Sequence, residues 1–306
     1  MTVDLYKKRF LYLTQRLYKS LREFGFIETI KKVINFFFFN KIDLDKFPID
    51  LNISLDEIFI KFGTDKGSLD GKKTYDFLYK NKNEFKNYYE WICRKDVKNY
   101  PYQLGNDQSL TYENIFKTRR FENLKILELG AANGHSIASW HHYFPKATIF
   151  ALDNKKYFKF FYKSKRIKYF NIDIFDSNKI KKFIKENQKF DFIIDDSLHT
   201  EEAMLTNIKN FYSSINNRGC YFLEDFKSID FFKKAVMKYN FDNKANYFVK
   251  NGLIIEEVFH SIKKKVFFDN NILDKKTLEY IFETAEDSYV VYTNAPWSSV
   301  GVIKKK

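Results

Sequence analysis

The second half of the chain alternates short apolar runs with segments of helical periodicity. The apolar runs cover residues 125–129, 148–152, 167–171, 190–194 and 219–223. Short apolar runs separated by helices are typical of a parallel sheet with both faces covered. Near the end of the chain, SYVVYTN and SSVGVIKK flank the turn sequence APW and predict an antiparallel pair. We therefore expect an α/β fold with a Rossmann-like doubly wound sheet that is mostly parallel and has a terminal antiparallel pair.

The first 40 residues predict amphipathic helices, because Phe10, Leu13, Leu17 and Leu21 recur at intervals of three and four. This N-terminal helical segment contains eight Lys and Arg residues and three Asp and Glu residues. A basic amphipathic helix can pack against its own chain, against a second copy in a homo-oligomer, or on a membrane surface. We favour packing against protein, either the catalytic domain of the same chain or a second copy in a homo-oligomer. Peripheral membrane contact through residues 1–40 stays open as the alternative.

The pattern divides the chain into three predicted parts. Residues 1–50 form the basic helical segment and a linker, residues 51–120 form a cap, and residues 121–306 form the Rossmann-like domain. The cap is expected to contain an irregular insertion over residues 95–120, because no helical or strand period is visible there.

The composition is that of a globular protein, with 44% hydrophobic and 30% charged residues in 306. No apolar run approaches the roughly 18–20 residues that a membrane span requires. Cys93 and Cys220 are the two cysteines, which excludes a disulfide framework and a cysteine-rich zinc site. This cysteine usage suits a reducing compartment, so we expect a cytoplasmic protein, with association at the inner face of the membrane as an open alternative.

The formal net charge of +14 invites a nucleic-acid interpretation. However, the lysines are scattered along the whole chain rather than grouped in one basic block. Scattered lysines are typical of a solvated surface, so no nucleic-acid partner is predicted. The basic balance mildly favours an anionic acceptor or membrane surface.

A glycine-containing loop follows the first buried run in the sequence KILELGAANGHS. Gly130 allows a sharp turn, and Gly134 is expected to leave space for a ligand beside the backbone. The loop lacks the third glycine of the dinucleotide pattern, and the carboxylate of Glu128 would repel a phosphate. A carboxylate at this place suits the cationic amino and sulfonium region of S-adenosylmethionine. Asp153 ends the second run, where it could accept the ribose hydroxyls, and Asp173 ends the third, where it could border the adenine.

Acidic residues follow the fourth and fifth runs, in IIDDSLH and YFLEDF. The carboxyl ends of neighbouring parallel strands open onto one crevice, so Asp196, Glu224 and Asp225 should converge. Two carboxylates about 4 Å apart repel by roughly 4 kcal/mol at an effective dielectric constant near 20. A hard dication with oxygen ligands would offset this repulsion, which favours Mg²⁺ or Mn²⁺ over zinc. His199, three residues after Asp196, is a candidate general base. The alternative is that these carboxylates are ordinary strand-end and helix-cap residues that face water.

These motifs together resemble the metal-dependent sugar O-methyltransferases of macrolide and polysaccharide pathways, the family that includes mycinamicin and demethylmacrocin O-methyltransferases. Sequences labelled cephalosporin hydroxylase are also similar. The resembling segments fall between about residues 58 and 226 and are FGTDKGS, KILELGAANGHS, YFPKATIFALDN, FDFIIDDSLH and GCYFLEDF.

The resemblance implies a fold of the class I methyltransferase type. It also implies that Asp196, Glu224 and Asp225 bind the metal and that His199 is the general base. The residues that it places at S-adenosylmethionine are Glu128, Gly130, Asp153 and Asp173.

The predicted function is therefore S-adenosylmethionine- and Mg²⁺-dependent O-methylation of a hydroxyl on a sugar or glycan precursor, such as a surface polysaccharide or a nucleotide-linked sugar. A phosphorylated or phosphoramidate-type acceptor is the alternative within the same reaction class. A small-molecule hydroxylase and a non-catalytic glycan- or RNA-binding protein are the alternatives from other classes. The hydroxylase alternative lacks a recognisable site of two histidines and one carboxylate in the sequence.

Overall fold

The computed structural model describes residues 41–67, 106–154, 160–226, 254–293 and 298–306, together with seven positions between residues 18 and 30. The chain divides into two compact units, Met1–Ile42 and Asp43–Lys306. In the first unit, the seven positions between residues 18 and 30 are helical and exposed. The remainder of the predicted N-terminal helices and residues 95–105 of the predicted insertion lie outside the described residues.

The second unit contains a seven-stranded sheet in which six strands run in one direction. The sheet order is β5-β3-β2-β6-β7-β9-β8, and β9 is antiparallel to both of its neighbours. Two short strands, β1 and β4, lie outside this sheet. The strands are β1 (Ile42–Asp43), β2 (Lys125–Leu129), β3 (Thr148–Asp153), β4 (Tyr162–Lys163), β5 (Ile167–Asn171), β6 (Phe190–Asp195), β7 (Ile215–Glu224), β8 (Ala285–Tyr292) and β9 (Ser299–Lys305).

The predicted α/β fold is thus confirmed, including the five parallel strands from the apolar runs and the terminal antiparallel pair. Each apolar run lies within a strand. The runs in β2, β3, β6 and β7 are largely buried, as in a sheet with both faces covered, whereas β5 is an edge strand whose residues are partly buried or exposed. Strand β7 begins at Ile215, four residues before the apolar run that predicted it. The intervening residues Asn216, Asn217 and Arg218 are polar and give no apolar signal.

Seven α-helices are described, and local capping explains where several of them begin. Ser54 and Glu57 form a capping box at the start of α1, and the helix ends at Gly63 in the left-handed conformation. Thr200 caps α5 by accepting a hydrogen bond from the backbone N–H of Ala203. The helices are α1 (Leu55–Phe62), α2 (Ser109–Phe116), α3 (His135–Tyr143), α4 (Ser177–Asn187), α5 (Glu201–Phe211), α6 (Ile255–Lys264) and α7 (Lys275–Thr284). None of the described helices is long and apolar enough to cross a membrane.

The prediction of an irregular insertion over residues 95–120 is wrong for residues 109–116, which form α2. The helix is held by two aromatic residues one turn apart, Tyr112 and Phe116, both fully buried. Phe116 packs edge-on against Trp140 of α3, with ring centroids 5.7 Å apart, and lies 4.5 Å from the ring of Phe192 on β6. The apolar pattern does not indicate this helix, because Leu110 is an apolar residue on its exposed face. Leu110 is 66% exposed and falls outside the spacing of the buried residues.

The strand register brings the predicted site to one edge of the sheet. Leu129 of β2 pairs with Asp195 of β6, and Asp195 pairs with Leu223 of β7. The residues that follow these three positions, Gly130, Asp196 and Glu224, therefore come level with one another at the carboxyl edge. This edge holds the glycine loop and the acidic residues side by side.

Gly130 allows the loop after β2 to lie directly against the loop after β6. A Cβ atom added at residue 130 would lie 2.0 Å from the carbonyl oxygen of Asp196 and 2.6 Å from the Cα of Ser197. Its φ of +88° is also one that residues with a side chain rarely adopt. The glycine is thus required by contact between two protein loops.

We expect Gly130→Ala to lower the free energy of unfolding by about 2–5 kcal/mol, because it combines overpacking with left-handed strain. Urea unfolding followed by circular dichroism measures this. Gly67→Ala is the matched control, since a Cβ there meets its nearest atom at an ordinary 3.5 Å. Equal stability of the two variants would show that the loops separate at little cost.

Candidate cofactor and metal site

The glycine loop is stabilised by Asp153, which lies at the end of β3. Its Oδ2 accepts a hydrogen bond of 2.7 Å from the backbone N–H of Ala132. Ala132 has φ of +45°, so the loop contains a strained non-glycine residue between its two glycines. The structure therefore brings Asp153 and the loop together, as the sequence predicts.

Protein packing requires a glycine at residue 134. A Cβ added at this position would lie 2.4 Å from the ring of Phe160. Gly134 is the N-cap residue of α3 and has a left-handed φ of +90°. The ring of Phe160 therefore accounts for a glycine here, and the predicted role of Gly134 at S-adenosylmethionine stays a prediction.

Glu128 is fully buried, and both of its carboxylate oxygens are engaged by α3. Ser136 donates to Oε1 at 2.5 Å, and the indole N–H of Trp140 donates to Oε2 at 2.6 Å. Burial raises the pKa of Glu128 to about 7. These contacts fix α3 to β2, and they explain the residue without a ligand; its predicted role at S-adenosylmethionine stays a prediction.

Asp173 is exposed, and its Oδ1 accepts from the backbone N–H of Phe175 at 3.0 Å. Its Oδ2 is 3.4 Å from the side-chain amide of Asn154, which follows Asp153.

Asn133, within the glycine loop, is a candidate site residue that the sequence did not indicate. Its Oδ1 is buried and has no hydrogen-bond partner among the described residues. A buried acceptor of this kind suits a cationic donor group such as an ammonium.

The acidic cluster forms at the ends of β6 and β7. Atoms of Asp196, His199 and Asp225 lie within 4.8 Å of one another and could hold a metal ion together. The Nε2 atom of His199 is 3.7 Å from Asp196 Oδ1 and 3.9 Å from Asp225 Oδ2. Asp225 adopts a left-handed φ of +56°, a strained conformation that is frequent at functional sites.

Glu224, the third predicted ligand, lies deeper and is held by two residues of the cap. The ammonium of Lys66 is 2.5 Å from Glu224 Oε2 and 2.7 Å from Asp196 Oδ2. The hydroxyl of Tyr112 donates to the other oxygen of Glu224. Lys66 is 1% exposed and Glu224 is fully buried, so this is an ion pair inside the protein.

The cap reaches the cluster through a short backbone pairing. The N–H groups of Asn106, Asp107 and Gln108 donate to carbonyl oxygens of residues 65–67, at distances of 2.5–2.9 Å. The side-chain amides of Asn106 and Gln108 lie 3.3 and 3.4 Å from Asp225 Oδ1. Every carboxylate of the cluster thus contacts a residue that precedes β2.

Charge explains why Lys66 stays protonated at this depth. Burial alone would lower the pKa of its ammonium, but Asp196 and Glu224 more than offset that effect and raise it well above its usual range. Lys66 is the main site residue that the sequence analysis missed. The available signal was its place in the FGTDKGS motif, which carried no assigned role.

Asp195, the neighbour of Asp196, faces the opposite side of the sheet and has a structural role. It is buried and accepts hydrogen bonds from Tyr221 at 2.6 Å and from the side chain of Asn207 at 3.0 Å. Successive residues of an extended chain point to opposite faces. The carboxylate of Asp195 therefore lies in the core, whereas that of Asp196 lies in the acidic cluster.

The donor set fits a hard divalent ion. Asp196 and Asp225 supply carboxylate oxygens, which Mg²⁺ and Mn²⁺ prefer, and His199 adds a nitrogen that Mn²⁺ also accepts. The Oε1 atom of Gln108 is buried beside Asp225 and has no hydrogen-bond partner in the described part of the chain.

Comparison with known proteins supports the fold. No protein-family model matches the chain, and no curated protein matches it. The MycE methyltransferase from the mycinamycin biosynthetic pathway, in complex with Mg, SAH and mycinamycin VI, is similar with a TM-score of 0.54 and 15% identity, covering 83% of this chain and 54% of that one. MycE in complex with Mg and SAH gives a TM-score of 0.55 at the same identity and coverage. This chain spans about half the length of MycE, and its fold is that of a class I methyltransferase.

The raised pKa of Glu128 predicts a pH-dependent stability. The folded-state pKa of about 7 exceeds the ordinary value of 4.5, so the protonated carboxyl stabilises the folded protein at low pH. This contribution to the free energy of unfolding is lost as the pH rises from 4.5 to 7. The shift corresponds to about 3 kcal/mol at most. Glu128→Gln cannot ionise, so its free energy of unfolding should gain on the wild type as the pH rises from 5 to 8.

Denaturant unfolding at several pH values measures this difference. Glu186→Gln, on an exposed position of α4, is the control and should parallel the wild type. A Glu128→Gln curve parallel to the wild-type curve would contradict a buried carboxyl that ionises with difficulty.

Proposed function

We propose that this protein is an S-adenosylmethionine-dependent O-methyltransferase that uses Mg²⁺ or Mn²⁺ and acts on a hydroxyl of a sugar or glycan precursor. The observation that carries the proposal is one of placement. The glycine loop with Asp153 and the cluster of Asp196, His199 and Asp225 lie level at the carboxyl edge of one sheet. In open α/β sheets, this edge is where ligands bind.

The fold supports the methyl donor and the metal by analogy. The MycE structures contain Mg together with SAH, the product that S-adenosylmethionine leaves after methyl transfer. In this chain, Asp153 would bind the ribose hydroxyls, and the loop containing Asn133 would receive the amino acid part of the donor. Asp196 and Asp225 would hold the metal, and Glu224 would join them only if Lys66 moves.

The geometry of the cluster favours separate roles for the metal ion and for His199. A bound divalent ion would lower the pKa of a coordinated acceptor hydroxyl. His199 is 40% exposed and faces both Asp196 and Asp225, so it can reach a hydroxyl at the cluster and take its proton. The rigid contact between the glycine loop and the loop after β6 would hold donor and acceptor in near-attack geometry.

The first alternative retains the reaction but changes the acceptor to a phosphorylated or phosphoramidate-type compound, which the net charge of +14 would attract. Turnover with such a compound, and none with neutral sugars, would favour it. A hydroxylase would instead require Fe²⁺ and 2-oxoglutarate. The cluster offers one histidine and two carboxylates, rather than two histidines and one carboxylate.

Calorimetry with S-adenosylmethionine, with and without Mg²⁺, tests the proposed donor. We expect the wild type to bind it and Asp153→Ala to bind it more weakly by about 1–3 kcal/mol, because the ribose hydroxyls lose their acceptor. Asp274→Ala removes an equivalent carboxylate that caps the distant α7 and should bind normally. Equal affinity of Asp153→Ala and the wild type would remove Asp153 from the donor site.

Transfer of a labelled methyl group to a panel of sugars tests the roles in the cluster. His199→Ala should lower kcat by roughly 10²–10⁴ while Mg²⁺ affinity is preserved, and higher pH should partly restore turnover. Asp196→Ala should abolish stimulation by Mg²⁺ without such rescue, because the acceptor hydroxyl is no longer acidified. The control is His260→Ala, an exposed histidine of α6.

Two results would contradict these assignments. Turnover that EDTA leaves unchanged would exclude the metal. A His199→Ala variant that loses Mg²⁺ affinity as strongly as Asp225→Ala would make His199 a metal ligand instead of the base.

A further inference from the structure

Lys66 gives the acidic cluster a cation of its own. Its ammonium lies between Asp196 Oδ2 at 2.7 Å and Glu224 Oε2 at 2.5 Å, and it is 1% exposed. The backbone around it is fixed, because the carbonyl of Lys66 accepts a hydrogen bond of 2.9 Å from the N–H of Gln108. The ammonium is therefore held in the cluster from the cap side, where water does not reach it.

Asp196 is shared between Lys66 and the group that could hold a metal. Its Oδ2 contacts Lys66, and its Oδ1 faces His199 at 3.7 Å. A divalent ion bound to Asp196 would thus lie close to the ammonium, and the two positive charges would repel each other strongly in this buried environment. Glu224 could reach the ion only by giving up its contact with Lys66.

We propose that Lys66 is a resident counter-ion of the acidic cluster that competes with the divalent ion for Asp196 and Glu224, and so limits how tightly the ion binds. The proposal rests on the metal dependence proposed above. It assigns a positioning residue that acts through the two carboxylates and contacts neither donor nor acceptor. In the absence of a divalent ion, Lys66 holds the carboxylates together; when the ion is bound, it weakens the hold of the protein on that ion.

Binding of Mn²⁺ alone, followed by electron paramagnetic resonance and calorimetry without donor or acceptor, tests the proposal. Lys66→Met removes the charge and retains most of the volume, and we expect it to bind Mn²⁺ at least about tenfold more tightly than the wild type. Lys66→Gln, which keeps a hydrogen-bond donor for the carboxylates, should change affinity in the same direction. Lys66→Arg keeps the charge and should therefore raise Mn²⁺ affinity less than Lys66→Met does.

A second buried lysine provides the matched control. Lys305 is 4% exposed and donates to the carbonyl of Ile215 and the hydroxyl of Tyr280, with no carboxylate among these partners. Lys305→Met should lower stability but leave Mn²⁺ affinity within about twofold of the wild type, since no charge near the cluster is lost. As a second readout, Mg²⁺ should raise the melting temperature of Lys66→Met more than that of the wild type.

The outcomes separate this inference from the proposed function. Unchanged or weaker Mn²⁺ binding by folded Lys66→Met and Lys66→Gln overturns the competition and leaves metal dependence standing. Tighter binding by both variants, with Lys305→Met unchanged, supports it. If neither the wild type nor the variants bind Mn²⁺, both this inference and the metal dependence fall, while donor binding is judged separately by calorimetry with S-adenosylmethionine.

Discussion

The repulsion among three converging carboxylates is the constraint on which this site depends. Asp196, Glu224 and Asp225 come together because β6 and β7 are parallel neighbours and end at the same level. Burial makes the repulsion costly, and the protein offsets it with residues from the cap: Lys66 between two carboxylates, and amide side chains on the third. The cap is thus part of the electrostatics of the sheet edge, and removing it would leave the carboxylates uncompensated.

The same edge couples the glycine loop to the acidic cluster through backbone contact. Gly130 lies against the carbonyl of Asp196, and a side chain there would push the loops apart. A displacement of about 1 Å in an active site can cost a large factor in rate. The lack of a side chain at residue 130 therefore fixes the relative position of the two parts of the proposed site, besides permitting the turn.

The fold was predictable because its signals are local. Strands β2 and β5 match the apolar runs residue for residue. For β2 the reason is burial, since a strand buried on both faces is a nearly continuous apolar run. Helix α2 was not predictable in this way, because two aromatic residues carry its packing. The partners of Lys66 were not predictable either: they lie 130 and 158 residues further along the chain, and nothing near the lysine indicates a buried ion pair. Periodicity encodes burial, whereas ion pairs between distant segments depend on tertiary structure.

The internal cation also changes the charge argument for a metal. In the sequence, three convergent carboxylates predict a dication, because no other positive charge is visible beside them. Lys66 places one positive charge between Asp196 and Glu224, so part of the negative charge of the cluster is offset before any ion binds. The charge of Lys66 is therefore compatible with a divalent ion that binds and leaves, and it favours reversible over permanent occupancy of the site.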